Sequence, residues 1–129
     1  MANWSNLKNY IQANYKIAED KGQLISLIFA LPGNRSQLVL VRHTTTGAGT
    51  EFATISSAFA KSAEVDLGAA LTELNDYVVG GAVINGEFAV VRHAVPLDAL
   101  DAEDFEAPLQ LVVSAADALE KMFAGSDEF

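Results

Sequence analysis

YVVGGAVINGEFAVVRHAV (Tyr77–Val95) is the stretch whose reading decides the fold. Two β-rich runs, Tyr77 to Ile84 and Glu87 to Val95, flank Asn85-Gly86. That dipeptide tolerates the positive φ of a type I′ turn, so the stretch reads as a β-hairpin. Gly80-Gly81 lies inside the first arm. Paired glycines weaken a strand and mark a bulge or a close backbone approach. Pro96 ends the second arm, because it has no N–H to give to a sheet ladder.

Upstream of the hairpin, Asp66 reads as the N-cap of a helix near 67–76, with Leu67, Ala70, Leu71 and Leu74 on its inner face. Glu51 to Lys61 reads as a strand whose phase slips between Phe52 and Ile55. It is either bulged or becomes helical toward 57–63. Gly47-Ala48-Gly49 is a turn before it. Ser36 to Thr46 is a strand, apolar on both faces through Val41 and polar from Arg42 onward. Gln23 to Leu31 is another, with Ile25, Leu27, Phe29 and Leu31 on one face, and Pro32-Gly33-Asn34 turns the chain between the two. Tyr15 to Ala18 is short and β-compatible. Residues 3–14 form a helix with Trp4, Leu7 and Ile11 on one face, capped by Asn3 or Ser5.

Downstream, residues 101–124 read as a long amphipathic helix in which Phe105, Leu109, Val112, Ala116, Leu119 and Phe123 recur every three or four positions. Gly125 is its stop signal, and 126–129 form a loose tail. Pro108 crowds the carbonyl four residues back. Either the helix kinks there, or a short turn at 102–105 precedes a helix starting with Pro108 at its first position. The order of elements is therefore α-β-β-β-α-β-β-α, with the Tyr15–Ala18 run as an added short strand. Short turns between successive strands dictate an antiparallel sheet, and the helices must cover one of its faces. The expectation is a single α+β domain over 1–129, a two-layer sandwich.

The chain has 129 residues, half of them hydrophobic and 19% charged, and it contains no cysteine. It is long enough for one domain with a real core and too apolar for an acidic disordered tail. Disulfides, thiolate metal sites and cysteine nucleophiles are excluded. The longest strongly apolar run, Leu24 to Leu31, is far short of the roughly 20 residues of a membrane span. Met-Ala-Asn-Trp-Ser-Asn-Leu at the start has no secretory pattern, so a cytoplasmic protein is expected. The net charge is −9. Residues 97–129 hold nine acids against one base, Lys121, and so carry almost all of it. Without a basic footprint, neither nucleic acid nor an anionic membrane is an expected partner. The acids suit the start of a helix and keep the protein dissolved. They also form a surface that would steer a basic partner.

Chemistry-bearing motifs are few. Val-Arg-His occurs twice, at 41–43 and 91–93, late on two predicted strands. Arg and His then point to opposite faces. If the strands lie side by side, Arg42 and Arg92 share a face and make an anion site, while His43 and His93 meet on the other. Two histidines are at most half of a tetrahedral zinc site. The plain alternative is that both copies mark solvated strand ends. Gly47-Ala48-Gly49-Thr50 lacks the Gly-Lys-Ser/Thr ending of a phosphate loop, and the acids at 98–106 lack the glycine and terminal Glu of a calcium loop. No nucleophile–base set is visible, so no enzymatic activity and no cofactor are expected.

Three stretches together resemble the class I type III secretion chaperones and their YbjN-like relatives: Trp4–Leu31, Val78–Val95, and Pro96-Leu97-Asp98-Ala99-Leu100 running into the final helix with Ala116-Asp117. The resemblance implies a twisted antiparallel sheet with helices on one side, a homodimer, and an apolar groove that takes an extended peptide. The residues agree, because strands 24–31 and 38–41 carry more apolar surface than one helix layer requires. The expected function is a non-enzymatic module that holds an extended or basic segment of a partner protein through Ile25, Leu27, Phe29, Leu38, Leu40, Arg42 and Arg92. Two alternatives stand beside it: a small acidic inhibitor, such as an immunity protein for a basic toxin, and an anion-binding protein using Arg42 and Arg92.

Overall fold

A computed structural model describes residues 3–124 and 129. Asn3 caps the first helix, α1 (Trp4–Asn14), its side chain accepting the Asn6 N–H at 2.9 Å. Trp4, Leu7 and Ile11 form the buried face. Four strands follow, β1 (Ile17–Asp20), β2 (Leu24–Leu31), β3 (Arg35–Thr45) and β4 (Glu51–Lys61). Asp66 caps α2 (Leu67–Leu74) through the Ala69 N–H at 3.0 Å. Then come β5 (Gly81–Asn85), β6 (Phe88–Pro96) and α3 (Ala102–Phe123).

The six strands make one antiparallel sheet in the order β1-β2-β3-β4-β6-β5. The helices pack on one side of it. The core lies between the layers, where Ile25, Leu27, Val39, Val41, Ile55 and Phe59 of the sheet meet Leu7, Ile11, Phe105, Leu109, Val112 and Leu119 of the helices. All twelve are sealed from solvent. Burying a side chain of this size contributes about 1.5–3 kcal/mol, so this layer accounts for the two-layer architecture.

The hairpin is real but shifted. Its first arm begins at Gly81, not at Tyr77. A Cβ at Gly80 would lie 2.8 Å from the Arg92 carbonyl oxygen, and Gly81 has φ +140, so the chain enters the sheet by a close backbone approach open only to glycine. The turn is also displaced by one residue. Asn85 pairs with Phe88, leaving Gly86 (φ +61) and Glu87 as the central pair. Glu87 has no positive φ, so the turn is of the Gly-X type II′ kind rather than the expected type I′.

The phase slip expected between Phe52 and Ile55 is absent, since Ala53, Ile55 and Ser57 alternate regularly inward; the bulge lies instead between Ala58 and Ala60, opposite Val90 and Ala89, and the strand stays extended to Lys61. Leu71, expected on the inner face of α2, is 55% exposed, because α2 ends at Leu74 and buries only Ala70 and Leu74. α3 starts at Ala102 and continues through Pro108. Asp101 caps it on the Asp104 N–H at 2.8 Å, which leaves Pro108 inside the helix rather than at its start. The expected stop at Gly125 and tail residues 126–128 lie outside the described residues. Phe129, the last residue of the expected loose tail, is held in place. It donates its N–H to Glu120 Oε2 at 2.8 Å, its carbonyl accepts from the Leu38 N–H at 3.0 Å, and its ring meets Phe88 edge-on at 5.7 Å.

Candidate functional site: the uncovered face of the sheet

The helices leave one face of the sheet without a cover. Alternation decides which side chains reach it. On β3 these are Leu38, Leu40, Arg42 and Thr44, since Val39, Val41 and Gln37 are buried on the helix side. The register Leu40–Ser56–Arg92 and Arg42–Thr54–Ala94 runs across β3, β4 and β6, so Ser56, Thr54 and Arg92 share that face.

Two adjoining hollows lie on it. One, of about 490 Å³, has Arg42 and Arg92 around the hydroxyls of Thr44, Thr54 and Ser56, with Asn85 at its side. The other, of about 280 Å³, is walled by Leu38, Leu40, Ala58, Phe88 and Phe129. Leu40 belongs to both, so they form one trough that is polar at one end and apolar at the other. No acidic side chain of the described residues lines either hollow. Arg42 and Arg92 are exposed, and neither has a carboxylate partner among the described residues.

The seven residues expected to bind a partner therefore divide between two faces. Leu38, Leu40, Arg42 and Arg92 come together on the uncovered one. Ile25 and Leu27 are fully buried beneath the helices, and Phe29 packs beside them against Tyr15, ring centroids 5.6 Å apart. These three belong to the core. The reason is phase: β2 presents Ile25, Leu27 and Phe29 inward and Leu24, Ser26 and Ile28 outward. Ile28, 42% exposed, is the large apolar side chain of β2 that a partner could reach.

The two Val-Arg-His copies resolve in the same way. Their arginines share the uncovered face, as alternation predicts. Their histidines share the helix side but do not meet. His43 stands level with Ala53 and His93 level with Ile55, one strand away from each other across β4. The His43 ring stacks on Trp4 at 5.3 Å, bonds Gln23 through Nδ1, and bonds Glu51 through Nε2 at 2.7 Å. Trp4 in turn donates its Nε1–H to the Gly22 carbonyl at 2.7 Å. His43 thus fastens α1 to the sheet. His93 has a buried Nδ1 without a hydrogen-bond partner among the described residues and lies against Gly80.

One polar cluster was not anticipated. Arg35, at the start of β3, places its Nε 2.8 Å from Asp117 and its Nη2 3.3 Å from Glu120. Lys121 adds a contact to Asp117 at 3.3 Å. Glu120 is completely buried. Between β3 and β4, the buried Gln37 amide donates to Ser57 Oγ and the Ala58 carbonyl, and Ser57 donates to the Leu38 carbonyl at 2.7 Å. The sequence signal for it was two acids three positions apart late in α3, which the reading of the acidic end as a solvated surface absorbed.

Two tyrosines are perturbed near α1. Tyr10 donates to Glu106 at 2.5 Å, and this bond, then burial, then the Glu106 charge, push its hydroxyl pKa up. Tyr15 is pushed up further, first by burial and then by Glu106. Both stay protonated and structural. Among the described residues no cluster of three or more His, Asp or Glu is arranged to hold a metal ion, and no helix is long and apolar enough to cross a membrane. In comparisons with known proteins, no family model matches this chain, and no curated protein matches it either.

Proposed function

We propose that this protein is a non-enzymatic, homodimeric protein-binding module of the cytoplasm, which holds an extended segment of a partner on the uncovered face of its sheet. The observation that carries the reading is the trough across β3, β4 and β6, where Leu38 is 42% exposed and no helix among the described residues covers it. Exposed apolar surface on a small domain marks an interaction site, and a groove with spaced side-chain pockets suits an extended chain. The class I chaperone-like pattern of the sequence points the same way. For the dimer, the support is the β5 edge. Its outer backbone groups are unpaired by the sheet among the described residues, and Ile84 and Leu71 stand together beside it with 57% and 55% of their surface exposed.

The test is capture of the tagged protein from its host, alongside Leu38→Asp, with sedimentation of wild type and Ile84→Glu. The reading expects one near-stoichiometric polypeptide that Leu38→Asp loses, and a dimer that Ile84→Glu splits. A protein recovered alone, or a companion that Leu38→Asp retains in full, refutes the placement of the binding surface. A monomeric wild type refutes the dimer.

A further inference from the structure

The repeated Val-Arg-His has no role in the fold that explains both arginines. Its placement suggests one. β3 and β6 each run antiparallel to β4 and so run in the same direction on either side of it. Each presents to the uncovered face two apolar residues and then an arginine at alternate positions: Leu38, Leu40, Arg42 on one, and Phe88, Val90, Arg92 on the other. The register sets Arg92 level with Leu40 and Arg42 level with the next outward position, Thr54. The apolar hollow sits at the Ala58 level. At about 3.3 Å per residue, Arg92 lies about 7 Å and Arg42 about 13 Å along the trough from it.

We infer that the segment held in the trough is acidic: an extended peptide that places a large apolar side chain, best an aromatic one, in the Leu38–Phe88 hollow and carboxylates two and four residues away, against Arg92 and Arg42. This rests on reading the uncovered face as the binding surface. Three observations choose the occupant. An extended ligand has the same period as the strands beneath it, so alternate residues face the trough and the spacings match. Among the described residues the two guanidinium groups have no carboxylate partner, and the hydroxyls of Thr54 and Ser56 lie between them. The apolar hollow already takes an aromatic ring, that of Phe129, as one wall.

Composition alone favours a basic partner, since the chain carries −9. The location of the acids reverses that locally. The buried acids of α3, Asp117 and Glu120, stand on the helix side facing Arg35, and no acidic side chain of the described residues lines either hollow. The trough therefore presents its own sign of charge to a ligand.

The probe is a labelled synthetic peptide of about ten residues, long enough at about 3.3 Å per residue to span the trough. It carries Phe with Asp two and four positions on, and binding is read by fluorescence anisotropy. Controls replace both Asp by Lys, or Phe by Ala. Wild type should bind the Phe–Asp peptide, more weakly as salt rises, and each control at least about tenfold more weakly. A charge-assisted hydrogen bond is worth enough for about tenfold per arginine, so Arg42→Ala and Arg92→Ala should each lose about that factor and the pair more. Leu38→Asp should lose binding as well. Equal binding of the Asp and Lys peptides, no binding of either, or full binding by the double arginine variant overturns the inference. So does inorganic phosphate alone displacing the peptide at submillimolar concentration, which would make the site one for a small anion. The two readings fail separately. A native partner lost by Leu38→Asp but kept by the double arginine variant leaves the binding surface standing and removes the acidic ligand.

Discussion

Replacing Arg35 by Met should unfold this protein at a markedly lower temperature, although Arg35 follows a surface turn. Its guanidinium faces Asp117 at 2.8 Å and Glu120 at 3.3 Å, and the three side chains retain 16%, 12% and 0% of their exposure. Methionine keeps much of the aliphatic volume and removes the charge. Two carboxylates then face each other in a site that excludes water, with Lys121 still near Asp117 at 3.3 Å. Breaking a buried pair from one side costs about 3–5 kcal/mol, and the remaining lysine argues for the lower end. Unfolding entropy of about 2.1 cal/mol/K per residue then makes a 3 kcal/mol loss a fall of about 11 °C in Tm for a chain of this length. Calorimetry of wild type and Arg35→Met reads this directly. The physical cause is uncompensated charge, so adding Asp117→Asn and Glu120→Gln to Arg35→Met should recover much of the loss, because neutral groups of the same shape cost less to bury. A drop under about 3 °C, or a triple variant no better than the single one, would refute the reasoning.

Other consequences can be checked with the same instrument. Gly80→Ala should cost about 1–3 kcal/mol, since its Cβ would meet the Arg92 carbonyl at 2.8 Å and neither backbone can yield without disturbing the hairpin. A Tm unchanged from wild type would show that the approach is looser than it looks. Ala99 sits at φ +61 between β6 and α3, so Ala99→Gly should stabilise by about 1 kcal/mol despite the greater freedom of the unfolded chain; a lower Tm would contradict this. The Asp20 carboxyl is held below the usual carboxylate range, first by the Gly22 N–H and then by Lys8 at 3.0 Å. A depressed folded pKa contributes stability above the unfolded value of about 4, and that contribution is lost as pH falls through the lower folded one. Asp20→Asn should therefore flatten the acid limb of Tm against pH and leave the neutral region's slope alone. At the other extreme, Tyr10 and Tyr15 are raised above 10 by Glu106 and burial. Their contribution is complete below pH 10 and drains away above it, so alkaline ultraviolet titration should show the Tyr15 phenolate appearing together with unfolding. A phenolate that forms in the still-folded protein would count against the burial of Tyr15.

Much of this fold was legible in the residues because its signals are local. Trp4, Leu7 and Ile11 recur at helical spacing, Asn3, Asp66 and Asp101 are side chains that cap, and glycines mark every hairpin that needs positive φ. The errors are local as well. The hairpin slid by one residue because Asn85-Gly86 and Gly86-Glu87 are both acceptable turns, and only the pairing of Asn85 with Phe88 decides between them. At Pro108 the structure takes the first of the two expected arrangements, a helix that runs through it, because the Asp101 cap and the burial of Phe105 hold the first turn in place against the preference of proline for a helix start.

The candidate site divides along the same line. The sequence by itself determined the element order, the antiparallel pairing of successive strands and that Leu38, Leu40 and Arg42 share one face of their strand, since each follows from residues within one element or its next neighbour. It also determined that Arg42 and Arg92 would share a face if their strands came together. What only the tertiary structure decided is that β4 lies between those strands with Thr54 and Ser56 facing outward, that Ile25 and Leu27 point under the helices, and that Arg35 meets acids more than 80 positions along the chain. Strand order and layer choice are set by the free energy of one shared core. No single stretch carries that quantity, because every buried face contributes to it at once.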